Sequence, residues 1–513
     1  MKRKGIILLA LLAGFCFGGL HLPDSAEAAS KVKIDKKHFP DITFRQTVKS
    51  FDKNKDGYLS RKERKAVKRI ELENEHCSFG PSDGQILNLK GIEYFPQAKE
   101  LNIVFYRLKN LKLDKLRNLK TVKLEDCQKV NGTKSDEKYD FTKNKKLEKL
   151  CLKNIGDNVK QISFAKGNKI KSLELIVPKQ MPTVDLSRLS QMEDLQIYDS
   201  GIENVDLKKC VSLKKVWICN NKNLKELIFG ANSELKELEA GNNHLVSLNV
   251  SQLPNLESLV VGRNNLSELN VSENAKLTYM DCSCNLLKTL DTTKLKELRT
   301  LDCSGLGLKE LNLKENPKLE ILACSDNCLE TLDISKNTKL TDISCGANPL
   351  EELDVSMLPD LKSLRCCYAR LTNLDLSGNE KLEILQYAGN RIPSLDLAGH
   401  SEKLFAAIDF GYTQETQLLA SADGAVDEGI PIDKEHFPDY ALRYEVLADF
   451  DTNRDGILSE KESLAKQPLD LKKYETYFAA RKEIDCTGMG YLKEITEVIS
   501  DSGTILLNNT FKK

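Results

Sequence analysis

The residues best suited to chemistry are oxygen donors in one short stretch, DKNKDGYLSRKE (52–63). Asp52, Asn54 and Asp56 stand at positions 1, 3 and 5 of it. Gly57 follows at position 6, where the chain must turn sharply. Tyr58 offers its carbonyl at position 7, Ser60 a water-mediated contact at 9, and Glu63 a two-oxygen carboxylate at 12. Hard oxygen ligands at this spacing wrap a single hard cation, which points to calcium. The stretch returns 399 residues later as DTNRDGILSEKE. There Asp451, Asn453, Asp455, Ile457, Ser459 and Glu462 take the same roles, with Gly456 at the turn. Three carboxylates per loop suit an extracellular type of affinity, about 10⁻⁴–10⁻³ M.

Both stretches match the EF-hand loop at every ligand position. Their flanks are duplicated too, IDKKHFPD from Ile34 and IDKEHFPD from Ile432. Apolar residues at helical spacing enter each loop, through Phe44, Val48 and Phe51 and through Leu442, Val446 and Phe450. A helix is expected to leave the first loop over RKERKAVKRIEL (61–72). His38 and His436 belong to the duplicated flank and read as packing residues rather than zinc ligands. The loops lie at opposite ends of a repeat array. They therefore stay solitary or pair end to end between molecules when calcium is present.

That array is a 21-residue repeat. Leucines step through Leu235, Leu256, Leu277, Leu298, Leu319, Leu340, Leu361 and Leu382. A second set runs from Leu248 to Leu395 at the same step. The unit LxxLx[C/A/V]xxNxLxxL[D/N]xS is a leucine-rich-repeat pattern. It loosens upstream, through Ala98, Leu119, Leu147, Ile170, Met192 and Leu213. Residues 132–140 read as a polar insertion. The alternation at Leu238 and Ala240 predicts a short strand with one face inward, and so short a repeat leaves no room for a long helix. Each coil buries its apolar side chains only when stacked on its neighbours.

Two ladders ride on the period. Asn243, Asn264, Asn285, Asn327, Asn348 and Asn390 are expected to point inward and satisfy backbone groups, with Leu306 and Ala369 interrupting. Cys282, Cys303, Cys324, Cys345 and Cys366 take the inward place that Ala240 and Val261 fill earlier, so they read as buried thiols. Neighbours about 4.8 Å apart are too far for an unstrained disulfide, and a straight stack cannot surround a tetrahedral metal. Cys284 and Cys367 fall at outward positions. The strands also turn Glu237, Glu239, Tyr279, Asp281, Asp302, Arg365, Tyr368 and Gln386 outward. Small residues lie between them, such as Gly241, Ser283, Ser304, Gly346 and Ala388. Of the outward set, Tyr279, Asp281, Asp302, Arg365, Tyr368 and Gln386 are the expected partner-binding residues.

The chain of 513 residues balances 76 bases against 76 acids, which argues against a nucleic-acid partner. Lys2, Arg3 and Lys4, the apolar run Gly5–Leu20 and Ala26-Glu27-Ala28 form an expected secretory signal peptide, cleaved before Ala29. No later stretch is apolar for long enough to span a membrane. The expected domains are the signal at 1–28, an EF-hand-like cap module at 29–85 and the solenoid at 86–408. A linker at 409–430 and a second EF-hand-like module with a terminal cap at 431–513 follow.

The segments TYMDCSCNLLKTLD (278–291) and ILACSDNCLETLDISKNTKL (321–340), with the IDxxxFPD flank and its loop, carry a family likeness. The chain resembles the secreted leucine-rich-repeat proteins of Gram-positive bacteria, broadly internalin-like. That resemblance implies a repeat solenoid, mostly β, flanked by small α-helical EF-hand-like modules. It implies a secreted or surface-associated binding protein whose solenoid face takes an extracellular protein or glycan. Calcium would stabilise the end modules. The alternative is a calcium-rigidified structural component of the bacterial envelope. No serine elbow, HExxH or Gly-rich phosphate loop is present, so catalysis is not expected.

Overall fold

The computed structural model describes residues 31–74, 85–130 and 138–392, apart from 158 and 180, and beyond 392 only short strands and isolated positions. The expected signal peptide lies outside the described residues. The chain divides into two compact units, residues 1–156 and 157–513.

The first unit opens with a strand β1 (Val32–Lys33) and a helix α1 (Ile42–Lys49). Asp41 caps α1, with one carboxylate oxygen accepting from Phe44 N at 3.0 Å. Its other oxygen accepts from Asn88 N at 3.0 Å, tying the cap to the strand Ile86–Asn88. Phe39, Phe44, Phe51 and Phe95 pack together, with neighbouring ring centroids 5.4 to 6.5 Å apart. The duplicated Phe-Pro-Asp motif thus has a physical meaning: the phenylalanine fills a core and the aspartate caps a helix. Gly91, at φ 100°, sits where a Cβ would strike the Phe39 ring and the His38 carbonyl.

A strand β2 (Tyr58–Leu59) and a six-residue helix α2 (Arg61–Ala66) follow. The helix stops well short of Leu72, contrary to the expectation from sequence. Val67 already has extended backbone, and Arg69–Glu73 is a strand with Ile70 and Leu72 buried. The period of two in RIELE outweighs the helix propensity of its charged residues. This strand pairs in parallel with Glu100–Val104, so the array begins before Ile86. Thr121–Glu125 and Lys149–Lys153 continue it, with Ile70, Leu101, Val122 and Leu150 in one line. The expected polar insertion also ends earlier than residue 140. Lys138–Phe141 is a strand that buries Tyr139 and Phe141.

In the second unit, parallel strands recur from Ser172–Ile176 to Ile384–Gln386. Leu238, Leu259, Met280, Leu301, Leu322, Ile343, Leu364 and Leu385 stack in register and are buried. Burying each such side chain is worth about 1.5–3 kcal/mol. Among the described residues between 157 and 392 there is no helix. The return leg is extended, and the [D/N]xS signature marks a side-chain turn. Asn249, Asp291, Asp333, Asp354 and Asp375 each accept from the backbone N–H two residues on.

The C-terminal duplication is visible in the strands that are described. Gly429–Pro431 pairs antiparallel with Ile457–Ser459, setting Ile430 against Leu458 as Val32 is set against Leu59. Leu469 pairs in parallel with Val498, as Ile70 does with Leu101. The expected ligands Asp451, Asn453, Asp455 and Glu462 lie outside the described residues.

Candidate functional sites

The first loop is built by local backbone chemistry. Lys55 and Gly57 take left-handed φ of 59° and 80°, which reverses the chain. Asn54 Oδ1 accepts from Asp56 N at 3.1 Å, and Asp56 Oδ1 accepts from Tyr58 N at 2.8 Å. Asp52 Oδ2 accepts from Gly57 N at 2.9 Å. Ser60 and Glu63 play two parts. They are loop positions 9 and 12, and they form the capping box of α2. Glu63 Oε1 accepts from Lys53 N and Oε2 from Ser60 N, both at 2.8 Å. The Lys31 ammonium, then the Tyr58 N–H, hold the Asp56 carboxyl below the usual carboxylate range.

Do these residues suit a hard cation? Asp52 is only 8% exposed, and its Oδ1 is buried without a hydrogen-bond partner. A buried carboxylate oxygen of that kind is costly unless a positive charge meets it. The donor set is all oxygen, as calcium prefers. Against this, no three His, Cys, Asp or Glu side chains converge as a ready cage among the described residues. Asp56 and Glu63 are committed to loop N–H groups and to Lys31. The loop strand β2 pairs with β1 of its own module, so its edge is already occupied by this chain. His38 Nδ1 donates to Asp35 Oδ1 at 2.8 Å, and its ring lies 6.2 Å from that of Tyr94.

The solenoid face of the second unit is the other candidate. Two outward rows run across the strands in register. One holds Lys215, Glu237, Ser258, Tyr279, Thr300, Ile321, Asp342, Ser363 and Ile384, of which Ser363 is buried. The other includes Trp217, Glu239, Val260, Asp281, Asp302, Ala323, Ser344, Arg365 and Gln386. Tyr279 is 41% exposed and Trp217 39%. Asp281 and Asp302 are direct lateral neighbours. Each ties one oxygen to a serine N–H two residues on, Ser283 and Ser304. Burial first, then Asp281, Asp302 and Glu239, push the Tyr279 hydroxyl pKa up. Arg365 donates to Ser363 Oγ at 2.8 Å.

Tyr368 sits at a left-handed position, φ 56°, that recurs at Asn242, Arg263, Cys284, Asp326 and Ala347. Its ring covers Gly389, where a Cβ would collide with it. Two of the small residues expected between the outward ones are corrected: Gly346 and Ala388 are buried. Trp217, the only tryptophan in the chain, was not among the expected binding residues. Its signal was available, since it lies between the inward Val216 and Ile218.

Both ladders form. Asn264, Asn285, Asn327, Asn348 and Asn390 each donate to a carbonyl in their own coil and one in the preceding coil. Their oxygens accept from N–H groups of the preceding coil, such as Leu245 and Leu329. The ladder cysteines are fully buried free thiols. Burial pushes Cys345 up to about 12 and the other four well above the ordinary thiol value. Cys284 is exposed and Cys367 half-buried.

A second asparagine set, Asn232, Asn274, Asn316, Asn337 and Asn379, is also fully buried and donates to the preceding coil. Leu253, Leu295 and Leu358 alternate with it on the same period.

Solved structures place this geometry. The functional domain of InlJ from Listeria monocytogenes, described as including a cysteine ladder, matches 71% of this chain and 77% of its own at 22% identity, with a TM-score of 0.50. The fold is a leucine-rich-repeat solenoid. An internalin, InlF, of the same species aligns over 75% of this chain and 99% of its own at 17% identity, TM-score 0.49. YopM from Yersinia enterocolitica aligns over 66% of this chain and 74% of its own at 17% identity, TM-score 0.45. No protein-family model and no curated protein matches the chain. Among the described residues of the solenoid and its flanks, no helix is long and apolar enough to cross a membrane.

Proposed function

We propose that this chain is a secreted or surface-associated leucine-rich-repeat binding protein, with calcium stabilising its end modules. The observation that carries the binding reading is the open strand face, where Trp217 and Tyr279 stand exposed on the strands that also carry Glu239, Asp281 and Asp302 outward. Aromatic anchors on a rigid, pre-organised surface are the usual centres of protein recognition. The partner is an extracellular protein or glycan. Trp217 also supplies the assay, since a ligand seated on this face changes the fluorescence of the only tryptophan. Ligands found by screening extracellular proteins and glycans are expected to bind Trp217→Ala and Asp281→Lys/Asp302→Lys at least about tenfold more weakly, a loss typical of anchor residues. Undiminished binding by both variants would rule out this face.

The calcium reading rests on the donor spacing of both loops and on the buried, unpartnered Asp52 oxygen. The ion would draw on Asp52, Asn54, Asp56, the Tyr58 carbonyl, Ser60 through water, and Glu63, and on their counterparts from Asp451 to Glu462. Once bound it would neutralise carboxylates that otherwise repel. Millimolar calcium is expected to raise the melting temperature, by about 1.4 kcal/mol of stability per site at tenfold excess over Kd. The double variant Glu63→Gln/Glu462→Gln should lose that shift. A wild-type melt that is insensitive to calcium would sink the reading.

A further inference from the structure

We infer that Lys31 is a tethered cation that competes with the metal for Asp56, making the first calcium loop the weaker of the two. The inference rests on the calcium reading above. Lys31 Nζ lies 2.9 Å from Asp56 Oδ2. Asp56 Oδ1 is engaged by Tyr58 N at 2.8 Å, and Oδ2 takes the lysine together with a longer bond from the Asn54 amide at 3.3 Å, so Lys31 holds the oxygen less bound to the loop itself. The main chain keeps the lysine in place. Val32–Lys33 pairs with Tyr58–Leu59, and Ile34 N donates to Gly57 O at 3.0 Å.

A dication entering the loop must displace this ammonium or sit beside it. Displacement forfeits the ion pair, and proximity adds repulsion. Both groups are about a third exposed, with side-chain accessibilities of 37% and 32%, so solvent screening keeps the effect small. Exposed pairs of this kind are expected to shift Kd only roughly 1.5- to 5-fold.

The second loop lacks the device. The shared flank aligns Ile34 with Ile432, which sets Gly429 in the place of Lys31. The strand pairing agrees, with Ile430 against Leu458 as Val32 is against Leu59. Glycine carries no charge to compete. The two residues before it are Asp427 and Glu428, where Ala29 and Ser30 precede Lys31. In sequence, then, a base precedes the first loop's strand where a glycine and two acids precede that of the second.

The test is calorimetric calcium titration of the full exported chain with one loop disabled at a time. In the Glu462→Gln protein, adding Lys31→Gln is expected to tighten calcium binding about 1.5- to 5-fold, and the gain should shrink in high salt. Lys31→Arg, which keeps the charge, should leave affinity near that of the parent. The Glu63→Gln protein, with only its second loop intact, should bind more tightly than the Glu462→Gln protein. Unchanged affinity on Lys31→Gln, or a first loop as tight as the second, would overturn the inference while leaving the calcium reading standing. No calcium heat from either loop would overturn both.

Discussion

Above about pH 9 the solenoid is expected to lose stability steeply, and removing its stacked thiols should cancel most of that loss. Burial holds Cys345 up to about 12 and Cys282, Cys303, Cys324 and Cys366 well above the ordinary value. A thiol whose pKa is raised by folding keeps its proton in the fold and gives it up in the unfolded chain. Its stabilising share is whole below the unfolded pKa of about 8.5. The share then falls by about 1.4 kcal/mol per pH unit until the folded pKa is reached. Five such thiols on consecutive coils give an upper slope of roughly 7 kcal/mol per unit. Because coils are stabilised by their neighbours, the loss falls on one contiguous segment. Alanine at all five positions is tolerable in principle, since Ala240 and Val261 fill the same inward place. Urea unfolding at pH 7, 9 and 10.5 should show a much flatter pH dependence for that variant. Equal slopes would refute the argument. Cys210 and Tyr387, both raised to about 12 by burial, should leave a residual slope of the same sign.

Asn348→Ala should be the most damaging single change in the array. The side chain is 2% exposed and donates to Cys324 O and Cys345 O, both at 2.9 Å. Its oxygen accepts from Leu329 N at 3.1 Å. Truncation orphans the Cys345 carbonyl and the Leu329 N–H, while Cys324 O keeps Asn327, so at about 1–3 kcal/mol per orphaned group a loss of roughly 2–6 kcal/mol is expected. Position also matters. Leu306 and Ala369 are single gaps in the ladder, and Asn348→Ala would set a second gap beside Ala369. The exposed Asn265→Ala is the control and should stay within about 0.5 kcal/mol of the parent. Similar denaturant midpoints for the two variants would show that the ladder is not energetically important.

Much of this architecture was legible in the sequence because a 21-residue step leaves few alternatives. The inward leucines, the asparagines after each strand and the thiol stack all follow from alternation plus period. Failures occurred where burial comes from stacking rather than from local pattern. Asn274 and Asn337 sit in polar stretches, SENAKL and SKNTKL, whose local pattern carries no sign of burial. Their exchange with Leu253 and Leu295 on the same period was the overlooked clue. Arg69–Glu73 was read as helix because charged residues mask a two-residue alternation. At the first loop the oxygen donors could be named from their spacing. The lysine that holds one of them could not, since β-pairing brings Lys31 beside Asp56 across 25 residues.

The left-handed residue in each coil carries a further consequence. Asn242, Arg263, Cys284, Gly305, Asp326, Ala347, Tyr368 and Gly389 all occupy this one backbone state. The conformation disfavours most side chains, yet the types found here range from alanine to tyrosine. Stacking of the flanking coils, rather than the residue itself, therefore dictates the bend. That frees one surface position per coil to vary its chemistry without altering the path of the chain. Whole coils can likewise be gained or lost in register, so the array behaves as an adjustable ruler graduated in steps of about 4.8 Å.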